Sequence, residues 1–181
     1  MSGWVAALVS MALVVNPIGV GRAAVWSERD TAWRNTVAPI LAAAAAALAA
    51  LGLLTAPVLS LIDVTTPTFR LSAALVMGVT GLVWMLRPTK PVTDLGEASA
   101  WTVLGATMLL TPGPVFTAMA ANGDGGTAAG LVAVGLAMVL VAAAVLGKRM
   151  TDPMASWAAQ LTGSGAVITA AAIGLDAART V

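Results

Sequence analysis

Two short segments carry the residue types best suited to binding a solute, an Asn-Pro-Ile-Gly segment at 16–19 and a Thr-Pro-Gly-Pro segment at 111–114. Each follows an apolar run, and a proline inside a helix lacks the N–H donor and clashes with the carbonyl four residues before it. Pro17 is therefore expected to free the carbonyl of Leu13 and to interrupt its helix. The candidate substrate-binding residues are Asn16, Pro17, Gly19, Thr111, Pro112, Gly113 and Pro114.

The chemistry that these segments offer is hydrogen bonding without a charged side chain. The asparagine amide and the threonine hydroxyl both donate and accept. A helix that restarts after a break also presents backbone N–H groups and a positive partial charge. Together these groups suit a small polar or zwitterionic solute. Two simpler interpretations remain open: the prolines only kink their helices, or Asn16 only caps the helix that follows.

The composition of the 181 residues limits the other possibilities. Hydrophobic residues make up 59% and charged residues 9%, against about 25% charged in an average soluble domain. A net charge of +1 excludes the basic surface that nucleic-acid binding requires. Cysteine and histidine are absent, and no acidic residue lies at a predicted midplane, so a nucleophile with its base, paired catalytic acids and the usual metal ligands are all missing there. We therefore expect no enzyme, no metal site and no cofactor.

Six apolar segments are long enough to cross a bilayer, which takes about 20 mostly apolar residues. Short connections join them, so residues 1–181 are expected to form one all-α transmembrane domain. The predicted spans are at about 4–26, 37–62, 69–86, 98–120, 128–147 and 153–177.

The proline-containing segments give the chain an internal repeat. They lie within the first and fourth predicted spans, and the third and sixth spans begin alike, with Thr66-Pro67 and Asp152-Pro153. The halves, at about 1–90 and 91–181, then hold three spans each, and an odd number of spans gives them opposite orientations. The expected fold is six transmembrane helices in an inverted 3+3 repeat with broken first and fourth helices, as in many secondary transporters.

Most basic residues lie on one predicted side of the membrane. Seven of the nine are in the first, third and fifth connections or the adjoining helix ends, and only Arg70 and Arg179 lie on the other side. Because cytoplasmic loops carry the excess of Lys and Arg, both termini are expected outside the cytoplasm. The lipid bilayer is thus the expected partner. A face of small residues could also serve a homo-oligomer.

Three further polar residues are candidates for a gate or a cavity wall. Arg22 either reaches the cytoplasmic interface or faces the cavity, where it would attract an anionic group. Arg70 is expected to pair with Asp63 or Asp176 at the outer rim. Gln160 either lines the cavity or forms hydrogen bonds between helices.

The run from Val15 to Gly19 resembles the opening motif of the MarC family of integral membrane proteins. The Phe69-Arg70 pair before a stretch of small residues resembles that family's third span, and segment 111–114 lies where the family carries a Gly-Pro-Gly element. The Thr-Pro-Gly-Pro sequence is closer to the motif of the related LysE-type amino-acid exporters. The resemblance covers nearly the whole chain and implies a six-span exporter or permease of a bacterial-type plasma membrane.

The expected function is transport of a small polar or amphipathic solute by alternating access, at a midplane site between two broken helices. The alternative is a non-transporting accessory or scaffold subunit of a larger membrane complex. The matched interruptions favour transport, because unpaired backbone groups inside a membrane are costly and a scaffold gains nothing from them.

Overall fold

The computed structural model describes residues 3–18, 20, 31–86, 109–146 and 152–180, and the regular elements in these ranges are helices. This part of the chain confirms the all-α fold class. The helices are α1 (Gly3–Val15), α2 (Thr31–Leu53), α3 (Thr55–Leu61), α4 (Thr66–Leu86), α5 (Pro112–Leu146) and α6 (Asp152–Ala178).

Within the described residues, three helical segments are long and apolar enough to cross a membrane: Thr66–Leu86, Gly126–Val145 and Ser156–Ala178. The bent pair Ala38–Leu53 and Thr55–Leu61 makes a fourth if it counts as one span. The first and fourth predicted spans extend into residues outside the described ranges. Helix α1 and the start of α5 are the described parts of those two spans.

Many large apolar side chains of these helices face outward. On α6, Trp157, Leu161, Ile168 and Leu175 are each 65% to 70% exposed, and their spacing of four and seven residues places them in one stripe along the helix. Only 28% of the membrane-length window of α4 is buried. Water does not favour apolar faces of this extent, whereas lipid does, so the helices are suited to a bilayer.

The predicted second span is not one straight helix, because the chain bends by 49° between α2 and α3. Pro57 explains the bend: it has no N–H for the carbonyl of Leu53, and its ring disfavours a regular helix at that point. The Leu54 N–H still bonds to the Ala50 carbonyl at 2.9 Å, and the Leu54 carbonyl accepts from the Val58 N–H at 3.0 Å. The helix therefore resumes at once in a new direction.

Gly126 separates α5 into two parts that correspond to the end of the fourth predicted span and to the fifth. Its φ of 78° and ψ of 167° are non-helical, and side chains other than hydrogen strongly disfavour this backbone conformation. The sequence predicts a connection between residues 120 and 128, whereas the structure makes the turn essentially at one glycine.

Helices α4 and α6 pack against each other in antiparallel directions. Near one end, Arg70 forms an ion pair with Asp176 at 3.0 Å. Near the other, the Ser164 hydroxyl oxygen lies 3.4 Å from Met85 Sδ. Beside this second contact the backbones of Gly81 and Gly163 are so close that a Cβ atom on either would lie 2.7 Å from the carbonyl oxygen of the other.

Candidate solute site

The first predicted interruption is present at Asn16. Helix α1 ends at Val15, and Asn16 has a φ of 46°, in the left-handed region that asparagine tolerates better than most residues. The Asn16 N–H donates to the Leu13 carbonyl at 3.2 Å, and the Asn16 carbonyl accepts from the Val20 N–H at 3.0 Å. One helix therefore ends and the next begins at the same residue.

This geometry corrects the expectation that Pro17 frees the Leu13 carbonyl. A left-handed residue just after a helix directs its own N–H back to the carbonyl three residues earlier, and Asn16 does this. Asn16 is only 2% exposed, so its side chain lies within the protein. Its conformation is that of a helix-ending residue, not the extended conformation of a usual N-cap.

The second interruption immediately precedes α5. Leu110 and Thr111 are non-helical, and α5 begins at Pro112. The Thr111 carbonyl accepts from the Val115 N–H at 3.2 Å, which makes Thr111 the N-cap residue. Prolines at 112 and 114 leave Gly113 as the one residue of 112–114 with a backbone N–H. The expected supply of free donors at this helix end is therefore smaller than at an ordinary N-terminus.

The two interruptions lie next to each other. A Cβ atom at Gly113 would lie 3.0 Å from Val14 Cγ1 and 2.9 Å from Thr80 Oγ1 of α4. Val14 is two residues before Asn16, and Gly113 is two residues after Thr111. Glycine at 113 thus lets the start of α5 approach both the end of α1 and the middle of α4, and Thr80 joins the neighbourhood of the predicted site.

A cavity of about 20 Å³ continues from this region between α1, α4, α5 and α6. Its polar wall consists of Ser10 and Thr117, and the rest is mostly alanine. We call it the alanine cavity. It is lined by Ala6, Ala7, Ser10, Ala73, Ala74, Met77, Thr117, Ala120, Ala121 and Ile173.

The cavity also gives the direction of α1 relative to α5. Val14 lies near Gly113, whereas Ala6 shares the cavity with Ala121. Moving toward the start of α1 therefore corresponds to moving along α5 toward Gly126, so these two segments are antiparallel.

Sequence reasoning placed neither Ser10 nor Thr117 in the site. A signal was available in the spacing of alanines. Ala6 and Ala7 precede Ser10 in α1 as Ala73 and Ala74 precede Met77 in α4, and residues three and four positions apart lie on one helix face. Pairing of those faces depends on the tertiary arrangement.

The remaining predicted site residues differ in how far they are buried. Pro114 is fully buried, while Pro112 is exposed and Thr111 half-buried. Gly19 and Arg22 lie outside the described residues.

Of the two carboxylates proposed for Arg70, the structure selects Asp176. This ion pair is at the end of the α4–α6 pair that is remote from the interruptions. The Gln160 carbonyl accepts from the Ser164 hydroxyl at 3.0 Å within α6, and Gln160 is not among the residues that line the alanine cavity.

A further polar contact lies between α2 and the two parts of α5. The Asn122 Nδ2 donates to the Ala118 carbonyl at 3.0 Å, and the Asn122 side chain occupies space beside Gly52 and Gly130. Its Oδ1 is buried and accepts no hydrogen bond from the described part of the chain. Nearby, the Thr55 hydroxyl lies 3.3 Å from the Met119 carbonyl, which links α3 to α5.

The fold and this site define a class: an all-helical protein with apolar helices of membrane length, whose two helix interruptions meet beside a small cavity. Comparisons with protein-family models, with characterised proteins and with solved structures give no significant match.

Proposed function

We propose that this protein transports a small polar or amphipathic solute across a bacterial-type plasma membrane. The observation that carries the proposal is the packing of the two interruptions against each other, through Val14 and Gly113. Interrupted helices that meet inside a bundle are the usual way in which transporters form a polar site at membrane depth.

The directions of the helices support an inverted repeat of two three-span halves. The described part of the first span runs antiparallel to that of the fourth, and α4 runs antiparallel to α6. These are the directions expected when each half has three spans and both termini lie on the same side of the membrane. The motif resemblance to the MarC family and to LysE-type exporters points to the same type of protein.

The solute contacts proposed for this site are the Asn16 amide, the Thr111 hydroxyl and the backbone beside Gly113. Two prolines reduce the N–H donors at the start of α5, so the site is better suited to a neutral or zwitterionic solute than to a free anion. In alternating access, one half would move relative to the other around these groups.

The test is uptake into proteoliposomes of labelled glycine, acetamide and glycerol, which represent a zwitterion, a neutral amide and a polyol. We expect saturable uptake of at least one probe. Asn16→Gly keeps the left-handed conformation and removes the amide, so we expect apparent affinity to fall about two- to tenfold, the value of one hydrogen bond. Thr111→Val should act similarly, while Thr111→Ser should retain affinity.

The matched variant Asn16→Ala separates the conformational role of Asn16 from the role of its amide. Alanine in the left-handed region costs about 1–2 kcal/mol, so Asn16→Ala should lower stability by about that much more than Asn16→Gly does, while both variants lower uptake. Unchanged uptake in both Asn16→Gly and Thr111→Val would refute the proposed contacts. No uptake of any probe, with stable co-purification of a larger membrane complex, would favour an accessory subunit.

A further inference from the structure

The alanine cavity has a polar feature that the proposed transport function does not use. Thr117 is 5% exposed and lines the cavity, yet its hydroxyl takes part in no hydrogen bond within the described residues. A threonine in a helix commonly bonds to the carbonyl four residues earlier. Thr80 does so, with its hydroxyl 2.8 Å from the Val76 carbonyl, and Thr162 does so at 2.8 Å from the Ala158 carbonyl, whereas Thr117 forms no such bond within the described chain.

Ser10, on α1, supplies a second hydroxyl to the lining of the cavity. Its hydroxyl donates to the Ala6 carbonyl at 2.6 Å, and its oxygen retains lone pairs that can accept a hydrogen bond. Ser10 is 3% exposed. The cavity therefore contains a donor and acceptor on Thr117 and an acceptor on Ser10, and both residues are largely buried.

The size and the neutrality of the cavity restrict what can bind there. A volume of about 20 Å³ exceeds the 10–15 Å³ that one water molecule needs. The lining consists of alanine, serine, threonine, methionine and isoleucine, with no charged side chain among these residues. A bare ion would lose its hydration without a countercharge, whereas a neutral hydroxyl would exchange hydrogen bonds with Thr117 and Ser10.

We propose that the alanine cavity is a binding site for one uncharged hydroxyl group, held by Thr117 and Ser10. Water occupies the site in the resting protein, and the hydroxyl of a small alcohol displaces it. A purely apolar cavity of this kind stays dry, so the Thr117 hydroxyl is the group that makes occupancy favourable. Binding of a hydroxyl group in this cavity is an equilibrium property, and the proposal does not depend on the proposed transport function.

The test uses the full chain in lipid nanodiscs, with methyl-labelled alanine and threonine, and methanol as the probe. We expect magnetisation transfer from water to the methyl groups of Thr117, Ala120 and Ala121. Ala118 is fully buried and does not line the cavity, so its methyl should receive none. Added methanol should replace the water signal by one from its own methyl group, in a saturable manner.

Thr117→Val has nearly the same shape and no hydroxyl, so it should weaken methanol binding about two- to tenfold, as expected for one hydrogen bond. Thr117→Ser should retain the binding. Thr162→Val is the matched control, because it removes a hydroxyl from α6 that bonds only within its own helix turn among the described residues.

Two results would overturn the proposal: a cavity without a water signal, or equal methanol binding in the wild type and Thr117→Val. The NMR experiment measures binding at equilibrium and needs no solute gradient across a membrane. A protein that binds methanol here but takes up none of the three uptake probes would therefore refute the transport proposal and leave the cavity site standing. Uptake with a dry cavity would refute this site alone.

Discussion

The contact between α4 and α6 and the contact between α1 and α5 both use small residues, but they leave different amounts of space. Between α4 and α6, Gly81 and Gly163 bring two backbones together, each within 2.7 Å of the position of a Cβ atom on the other. We call this the glycine contact. Where α1 and α5 meet α4, alanines instead surround an open volume of about 20 Å³.

The difference comes from the helix interruptions as well as from the side chains. Glycine on both sides of the glycine contact removes both Cβ atoms, so the helices approach closely and gain dispersion energy along their length, as in membrane helix pairs generally. Beside the alanine cavity, the chain turns at Asn16 and restarts at Pro112, and the Cβ atoms remain. Small residues therefore provide close packing in one region and space in the other.

The largest loss of stability is expected from a substitution that disrupts the glycine contact. In Gly81→Ala the new Cβ would meet the Gly163 carbonyl at 2.7 Å and Ala166 Cβ at 2.9 Å, and neither atom belongs to a flexible side-chain end. Overpacking of this kind costs about 1–3 kcal/mol. Reversible unfolding in mixed detergent micelles, followed by helical circular dichroism, should show this loss.

Gly135→Ala is the matched control for that change. A Cβ at Gly135 would meet nothing within 4 Å, so the higher helix propensity of alanine should raise stability or leave it unchanged, by up to about 1 kcal/mol. Equal stability changes in Gly81→Ala and Gly135→Ala would show that the glycine contact is not tightly packed.

Much of the helical architecture could be predicted from the sequence, because long apolar runs have few alternatives in lipid. The interruption at Asn16-Pro17 and the helix start at Pro112 also follow from local chemistry. The Asn16 N–H as the hydrogen-bond partner of the Leu13 carbonyl could not be predicted, because this bond depends on the left-handed conformation of Asn16. Nor was the bend at Leu54 expected, although Pro57 provides a local signal for it.

The parts of the site that could not be predicted from the sequence depend on how the helices pack against one another. The same helix face of small residues predicts close packing or a cavity equally well, and only the relative positions of α1, α4 and α5 decide between them. The choice of Asp176 over Asp63 as the partner of Arg70 has the same origin. Both carboxylates were expected at the outer rim, and the antiparallel packing of α4 and α6 brings one of them to Arg70.

A smaller effect is expected where a polar side chain fills the space that glycine leaves. In Gly130→Ala the new Cβ would lie 2.6 Å from Cγ of Asn122, so the amide would have to move and lose its 3.0 Å bond to the Ala118 carbonyl. That loss costs about 0.5–1.5 kcal/mol, offset in part by the helix propensity of alanine.

The double variant Gly130→Ala with Asn122→Ala tests this explanation. Without the amide there is no overlap, so the two changes should be non-additive, with the double variant more stable than the sum of the single changes predicts. Additive stability changes in the same unfolding assay would mean that Gly130 and Asn122 do not compete for space, and that Gly130 resembles Gly135 instead of Gly81.

The smallest effect is expected at the Arg70–Asp176 ion pair, which lies at one end of the α4–α6 pair. The two side chains are 19% and 65% exposed, and exposed pairs contribute about 0.2–1 kcal/mol. Asp176→Asn should therefore lower stability within that range at low salt and less at high salt, because salt screens exposed charges. Asp63→Asn removes the same charge from a residue that forms no ion pair within the described chain, so it should change stability less. If instead Asp176→Asn lowered stability as much as Gly81→Ala, the ion pair would hold α4 to α6, and the close backbone approach would be its consequence.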